Sequence, residues 1–121
     1  MRPLRRLMLK AAAAAALLGL AAIGARAQAK PRVIPITARK FTYEPDVVTL
    51  KQSEPVIFRL TSEDVVMGFS VPDFGIRGTI IPGQATDVAL TPAKTGEFTF
   101  LCDVFCGTGH EEMNGTLRVV A

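Results

Sequence analysis

What most constrains the fold is a set of short runs in which apolar and polar residues alternate with a period of two. In Val56-Ile57-Phe58-Arg59-Leu60 the side chains of Val56, Phe58 and Leu60 share one face, and in Thr86-Asp87-Val88-Ala89-Leu90 those of Thr86, Val88 and Leu90 do. Val65, Met67, Phe69 and Val71 align in the same way, as do Phe98, Phe100 and Cys102, and a last run from Thr116 to Val120 aligns Leu117 with Val119. Turn chemistry separates the runs at Lys51-Gln52-Ser53-Glu54-Pro55, Pro72-Asp73-Phe74-Gly75, Pro82-Gly83, Thr95-Gly96 and Asn114-Gly115. After Ala29 no long helical period follows. Short strands at this spacing predict an all-β chain, an antiparallel β-sandwich of about seven or eight strands forming one domain.

The first residues are of a different kind. Arg2, Arg5, Arg6 and Lys10 precede an uncharged, Ala- and Leu-rich stretch from Ala11 to Ala25, which ends in small residues. This reads as a secretory signal peptide over residues 1–29, cleaved after Ala27 or Ala29, with residues 30–121 as the domain. The apolar stretch is shorter than the roughly 20 residues a spanning helix needs, so no stable membrane anchor is expected. Arg5-Arg6-Leu7-Met8-Leu9-Lys10 also resembles the twin-arginine export pattern, leaving two routes open, the general secretory one and the twin-arginine one. Either delivers the chain to the periplasm.

Charge matters here only through its distribution. The whole chain carries a formal +3, but residues 1–27 hold five of the fourteen Lys and Arg and none of the eleven Asp and Glu. The remaining domain of about 94 residues is therefore mildly acidic, near −2, and lacks the clustered positive surface that nucleic-acid binding requires.

Chemistry-bearing residues gather in Cys102-Asp103-Val104-Phe105-Cys106-Gly107-Thr108-Gly109-His110-Glu111-Glu112-Met113. Both cysteines and the only histidine lie there, and Met113 completes the group. Thiolate and thioether sulfurs with one imidazole suit Cu(I), zinc or a thiolate copper site, whereas Mg and Ca prefer oxygen. Zinc fits less well, because Met is a poor zinc ligand and two Cys with one His leave its shell incomplete. The run Phe98-Thr99-Phe100-Leu101 delivers Cys102 at a strand end, and Gly107 and Gly109 let the loop fold back tightly. Two other readings stay open: Cys102 and Cys106 as a disulfide in an oxidising compartment, and Met67 as a core filler.

The spacing Cys-x3-Cys-x3-His-x2-Met resembles the metal loop of the dinuclear copper (CuA) domain of cytochrome c oxidase subunit II, and similar loops occur in nitrous oxide reductase and in stand-alone exported cupredoxins. The stretch from Asp64 through Phe69 to Ile76, followed by Ile81-Pro82-Gly83, is similar to that family's second signature, so the resemblance spans about Phe41 to Val120. It implies a Greek-key, cupredoxin-like β-sandwich holding one or two copper ions. By the same resemblance Cys102 and Cys106 are bridging thiolates, His110 ligates one copper, Met113 the other, and the backbone carbonyl of Val104 is a weak further ligand.

The chain also departs from the family pattern. Met67 stands where the family has its first histidine, which enriches the ligand set in soft sulfur and favours Cu(I). Val104 replaces a glutamate, the tryptophan patch for cytochrome c is missing, and neither membrane helix of the oxidase subunit is present, so a free-standing relative is expected. Its expected function is periplasmic electron transfer with a redox partner such as a cytochrome or a cuproenzyme. The alternatives are Cu(I) delivery to an oxidase and a disulfide-stapled sandwich without metal. Catalysis by the chain itself is not expected, since a ligating His110 cannot serve a Ser/His/Asp set and no phosphate loop is present. Asp103, Glu111 and Glu112 are expected as solvated carboxylates beside the ligands, with Phe105 and Phe74 as an apolar apron.

Overall fold

The computed structural model describes residues 30–121, so the signal peptide expected over residues 1–29 lies outside the described residues. Nine strands run through them: β1 (Arg32–Arg39), β2 (Thr42–Glu44), β3 (Val47–Lys51), β4 (Val56–Ser62), β5 (Met67–Val71), β6 (Ile76–Ile80), β7 (Thr86–Leu90), β8 (Gly96–Leu101) and β9 (Asn114–Val120). Two 3-10 turns, Pro72–Phe74 and His110–Glu112, complete the set.

The strands form a sandwich of two sheets, in the orders β2-β1-β4-β7 and β3-β9-β8-β5-β6. Most pairings are antiparallel, as expected, but β1 pairs with β4 and β3 with β9 in parallel. The reason is the path of the chain: after β2 it crosses to the other sheet as β3 and returns beside β1 as β4, and a parallel pair needs that kind of crossover. Pro35 interrupts the pattern of β1 without breaking it, because β2 pairs only with residues 37–39 and leaves β1 an open edge at Pro35.

The alternating faces meet in one core. Phe58, Phe69 and Phe100 are fully buried, each removing enough apolar surface to contribute about 1.5–3 kcal/mol. Their rings stack in sequence, Phe58 to Phe69 at 5.3 Å and Phe69 to Phe100 at 5.2 Å, and Tyr43 meets Phe100 edge-on at 5.1 Å. One expected turn is absent. Asn114 and Gly115 are the first residues of β9, paired with Leu101 and Phe100. A β-carbon at Gly115 would overlap the Phe100 ring, so the glycine serves packing rather than a turn.

The ladder between β5 and β8 is short, with Ser70 opposite Leu101 as its one pair. Continued by two residues in each strand, it would set Gly68 against Asp103. Instead the chain leaves β8 at Cys102, and the sheet parts where the sulfur-bearing loop begins.

Candidate metal centre

The loop from Cys102 to Met113 is closed at its base and folded by its own backbone. The Cys102 amide donates to the Met113 carbonyl at 3.2 Å, extending the β8–β9 ladder by one bond. The amides of His110, Glu112 and Met113 donate to the carbonyls of Gly107, Gly109 and His110, each at 3.2 Å, and wind the segment into its 3-10 turn. The tight fold expected at Gly107 and Gly109 is present, and the Phe41 ring explains the need for glycine at both. Gly107 has φ +138°, and a β-carbon at either glycine would press on the Phe41 ring.

Cys102, Cys106 and Met113 are buried and His110 is half-buried. The Cys106 Sγ lies 3.7 Å from the Cys102 Sγ, 3.7 Å from the His110 Nδ1 and 3.9 Å from the Met113 Sδ. Donor atoms of Cys102, Cys106 and His110 all fall within 4.8 Å of one another. The Val104 carbonyl, 3.1 Å from the Cys102 Sγ, also faces the cluster. Both cysteines are free thiols.

Electrostatically the pocket resists negative charge unless a cation supplies the balance. Burial, reinforced by the neighbouring Cys102, pushes the Cys106 thiol up to about 11. A bound metal ion inverts that situation, because it favours the thiolate it coordinates. Two thiol sulfurs and one imidazole nitrogen clustered together, with a thioether beside Cys106 and a carbonyl oxygen beside Cys102, form a donor set suited to a soft ion such as copper.

Met67, the first residue of β5, is fully buried in the core, opposite Ile80. The adjoining Gly68 amide donates to the Cys102 Sγ at 3.4 Å, so β5 meets the sulfur cluster one residue from Met67.

Three surrounding residues escaped the sequence reading. Tyr43, the only tyrosine of the chain, is buried and donates its hydroxyl to the Gly68 carbonyl at 2.6 Å. Burial raises its phenol above the ordinary value, with Cys102 adding to the effect. Arg77 grips Asp103 through both carboxylate oxygens, at 2.6 and 3.0 Å, and touches Thr79 Oγ1 at 3.2 Å. Phe41 supports the two loop glycines. Tyr43 had a faint signal in being the sole tyrosine, whereas Arg77 and Phe41 carried none.

Asp103, expected as a solvated carboxylate, is therefore paired, and the Arg77 guanidinium holds its carboxyl below the usual range. Glu111 and Glu112 are exposed, as expected. Phe105 is 77% exposed with its ring 5.7 Å from that of His110, in keeping with an apolar apron. Phe74 packs against Phe98 at 4.7 Å, beneath the Lys94 ammonium, and is engaged there instead.

Fold and donor cluster together define a small β-sandwich whose candidate metal donors ride on a loop between two core strands. The chain belongs to the cupredoxin-like domain family, whose model matches residues 10–119. It is 34% identical over 84 residues to cytochrome c oxidase subunit 2 of Thermus thermophilus, covering 69% of this chain and 62% of that one. The alternative cytochrome c oxidase subunit 2 of Bradyrhizobium diazoefficiens is 37% identical over 68 residues, 56% of this chain and 24% of the relative. The chain thus spans less than two thirds of the length of these relatives.

Among solved structures it is similar to the periplasmic domain of subunit II of cytochrome oxidase (CoxB) of Bradyrhizobium japonicum, with a TM-score of 0.70 and 22% identity over 77% of this chain and 86% of that one. A further neighbour is the mixed disulfide intermediate between a thioredoxin-like TlpA and a CoxB domain, with a TM-score of 0.64 and 21% identity over 77% and 84% of the two chains.

Proposed function

We propose that this chain is an exported copper protein that carries electrons through Cys102, Cys106, His110 and Met113. The observation that carries the reading is the position of the Cys106 Sγ, within 3.9 Å of a donor atom from each of the other three residues. Copper bound by such donors supplies a one-electron couple. The chain's own contribution is to keep the donors in place. Cys102 leaves β8 and Met113 enters β9 across one backbone hydrogen bond, and three of the four donors are buried, so the sheet limits their rearrangement. His110 is the donor that is not fully buried, and the exposed Phe105 beside it offers an apolar contact for a redox partner. The Val104 carbonyl is a weak further donor.

The kinship with oxidase subunit II domains supports electron transfer as the task and a cytochrome or cuproenzyme as the partner. The charged and then apolar first residues support export, with residues 1–29 as the leader and 30–121 as the domain, in keeping with the periplasmic neighbour.

A second reading, Cu(I) delivery to a cuproenzyme, is favoured by Met67. Its side chain is buried, the amide of the next residue contacts Cys102, and as an additional ligand its thioether would make the set still softer.

An anaerobic copper titration of the reduced protein, followed by oxidation, separates these readings. Tight binding with intense, reversible colour supports the carrier, and the copper per chain decides between one ion and two. Binding of colourless Cu(I) alone supports delivery. Absence of binding overturns both and leaves the disulfide-stapled sandwich.

A further inference from the structure

The parting of β5 from β8 leaves a backbone segment whose hydrogen bonds have been reassigned. Both polar groups of Gly68 would belong to the ladder if the Ser70–Leu101 pairing continued. Instead its amide donates to the Cys102 Sγ at 3.4 Å and its carbonyl accepts from the Tyr43 hydroxyl at 2.6 Å. Residue 68 has to be glycine here, because a β-carbon would overlap the Asp103 carboxylate and lie 3.0 Å from the amide nitrogens of Asp103 and Val104. The segment after Cys102 therefore lies directly on the Gly68 backbone, and what fixes that backbone also fixes the amide contact of the Cys102 sulfur.

We propose that Tyr43 is a positioning residue for the Cys102 sulfur: its hydroxyl anchors Gly68, so that the Gly68 amide stays aimed at Sγ and makes Cys102 electronically distinct from Cys106. The inference rests on the copper reading for its redox consequence and on the geometry alone for the anchoring. Two observations and one principle carry it. The Tyr43 ring is wedged edge-on against Phe100 at 5.1 Å and Phe69 at 6.2 Å, so the hydroxyl has little freedom to leave Gly68. Tyr43 is 3% exposed, so water does not readily replace it as donor. A hydrogen bond donated to a ligating sulfur withdraws electron density from it and favours the reduced state of the metal it serves.

The test is Tyr43→Phe, which keeps the ring and removes only the donor. In the metal-free protein, amide exchange at Gly68 is expected to speed up at least tenfold while Leu50 and Leu117 exchange as before. In the copper-loaded protein the reduction potential is expected to fall. Unchanged exchange at Gly68, or acceleration no greater than at Leu117, overturns the proposal. An unchanged potential in a copper-loaded variant overturns its redox consequence. Should the unaltered protein bind no copper, the electron-carrier reading falls, while the exchange measurement still decides the anchoring. If the variant does not fold, fluorination ortho to the hydroxyl of the single tyrosine strengthens the donor without altering the chain. Slower Gly68 exchange then supports the anchor, and unaltered exchange refutes it.

Discussion

The amide of Cys102 and the carbonyl of Met113 are joined by a 3.2 Å hydrogen bond, so the first and last sulfur donors of the loop are neighbours across one strand pair. Between them Cys106 occupies the middle of the cluster, with contacts to Cys102, His110 and Met113. That central position ranks the donors in importance.

Cys106→Ser is expected to abolish the site. Losing an outer hydrogen-bond partner of a metal ligand commonly weakens binding 10- to 100-fold, and loss of the central thiolate should exceed about 100-fold. Competition with a Cu(I) chelator measures it, and a variant that kept the full copper content and spectrum would refute the central role.

Met67→His tests whether the start of β5 belongs to the centre. With an imidazole there, copper stoichiometry and visible spectrum are expected to move toward those of the oxidase domains this chain is related to. An unchanged count and spectrum would mean that Met67 is a core side chain and nothing more.

Gly109→Ala should be destabilising through crowding alone. Gly109 has φ −96°, which alanine tolerates, but the new methyl would lie 2.5 Å from a Phe41 ring carbon. Overpacking of this kind costs about 1–3 kcal/mol. Urea unfolding should show the loss, and trimming Phe41 to Leu in the same chain should recover part of it. Absence of recovery would place the strain elsewhere.

The pair Arg59–Asp87 should contribute a pH-dependent part of stability. Hydrogen bonds from Arg59, at 3.0 and 3.1 Å, hold the Asp87 carboxyl below its ordinary value of 3.8. A depressed carboxyl stabilises the folded state above the unfolded-state value and loses that contribution as pH falls through the folded one. The stability gap between the protein and Arg59→Gln should therefore be small but present at neutral pH and close as the pH drops below about 4. A gap of the same size at pH 7 and at pH 2 would contradict this origin.

The core was legible where alternation ran unbroken. Phe58, Leu60, Val88, Leu90, Phe100, Leu117 and Val119 all point inward, as their spacing requires. β1 and β6 were harder to read because Pro35 and Gly78 interrupt their patterns, and β2 has only three residues to show one. The parallel pairings have no local signature, since they arise from where the chain crosses between sheets. Asn114-Gly115 misled because a turn pair and a strand pair look alike until the Phe100 ring is in place.

The donors were visible because one short loop carries Cys102, Cys106, His110 and Met113 together. Arg77 and Phe41 reach that loop from β6 and the β1–β2 turn, and Tyr43 reaches the Gly68 backbone beside it from β2, so only the fold brings them there.

The bond closing the base of the loop also gives the molecule a modular seam. Since Cys102 and Met113 meet where β8 and β9 already run side by side, another segment with the same end-to-end separation could be seated there while the strands below keep their pairing. The sandwich would then act as a socket, and new metal preferences could be acquired by exchanging a dozen residues, provided the replacement also accommodates Phe41 beneath it and the Arg77 grip at its start.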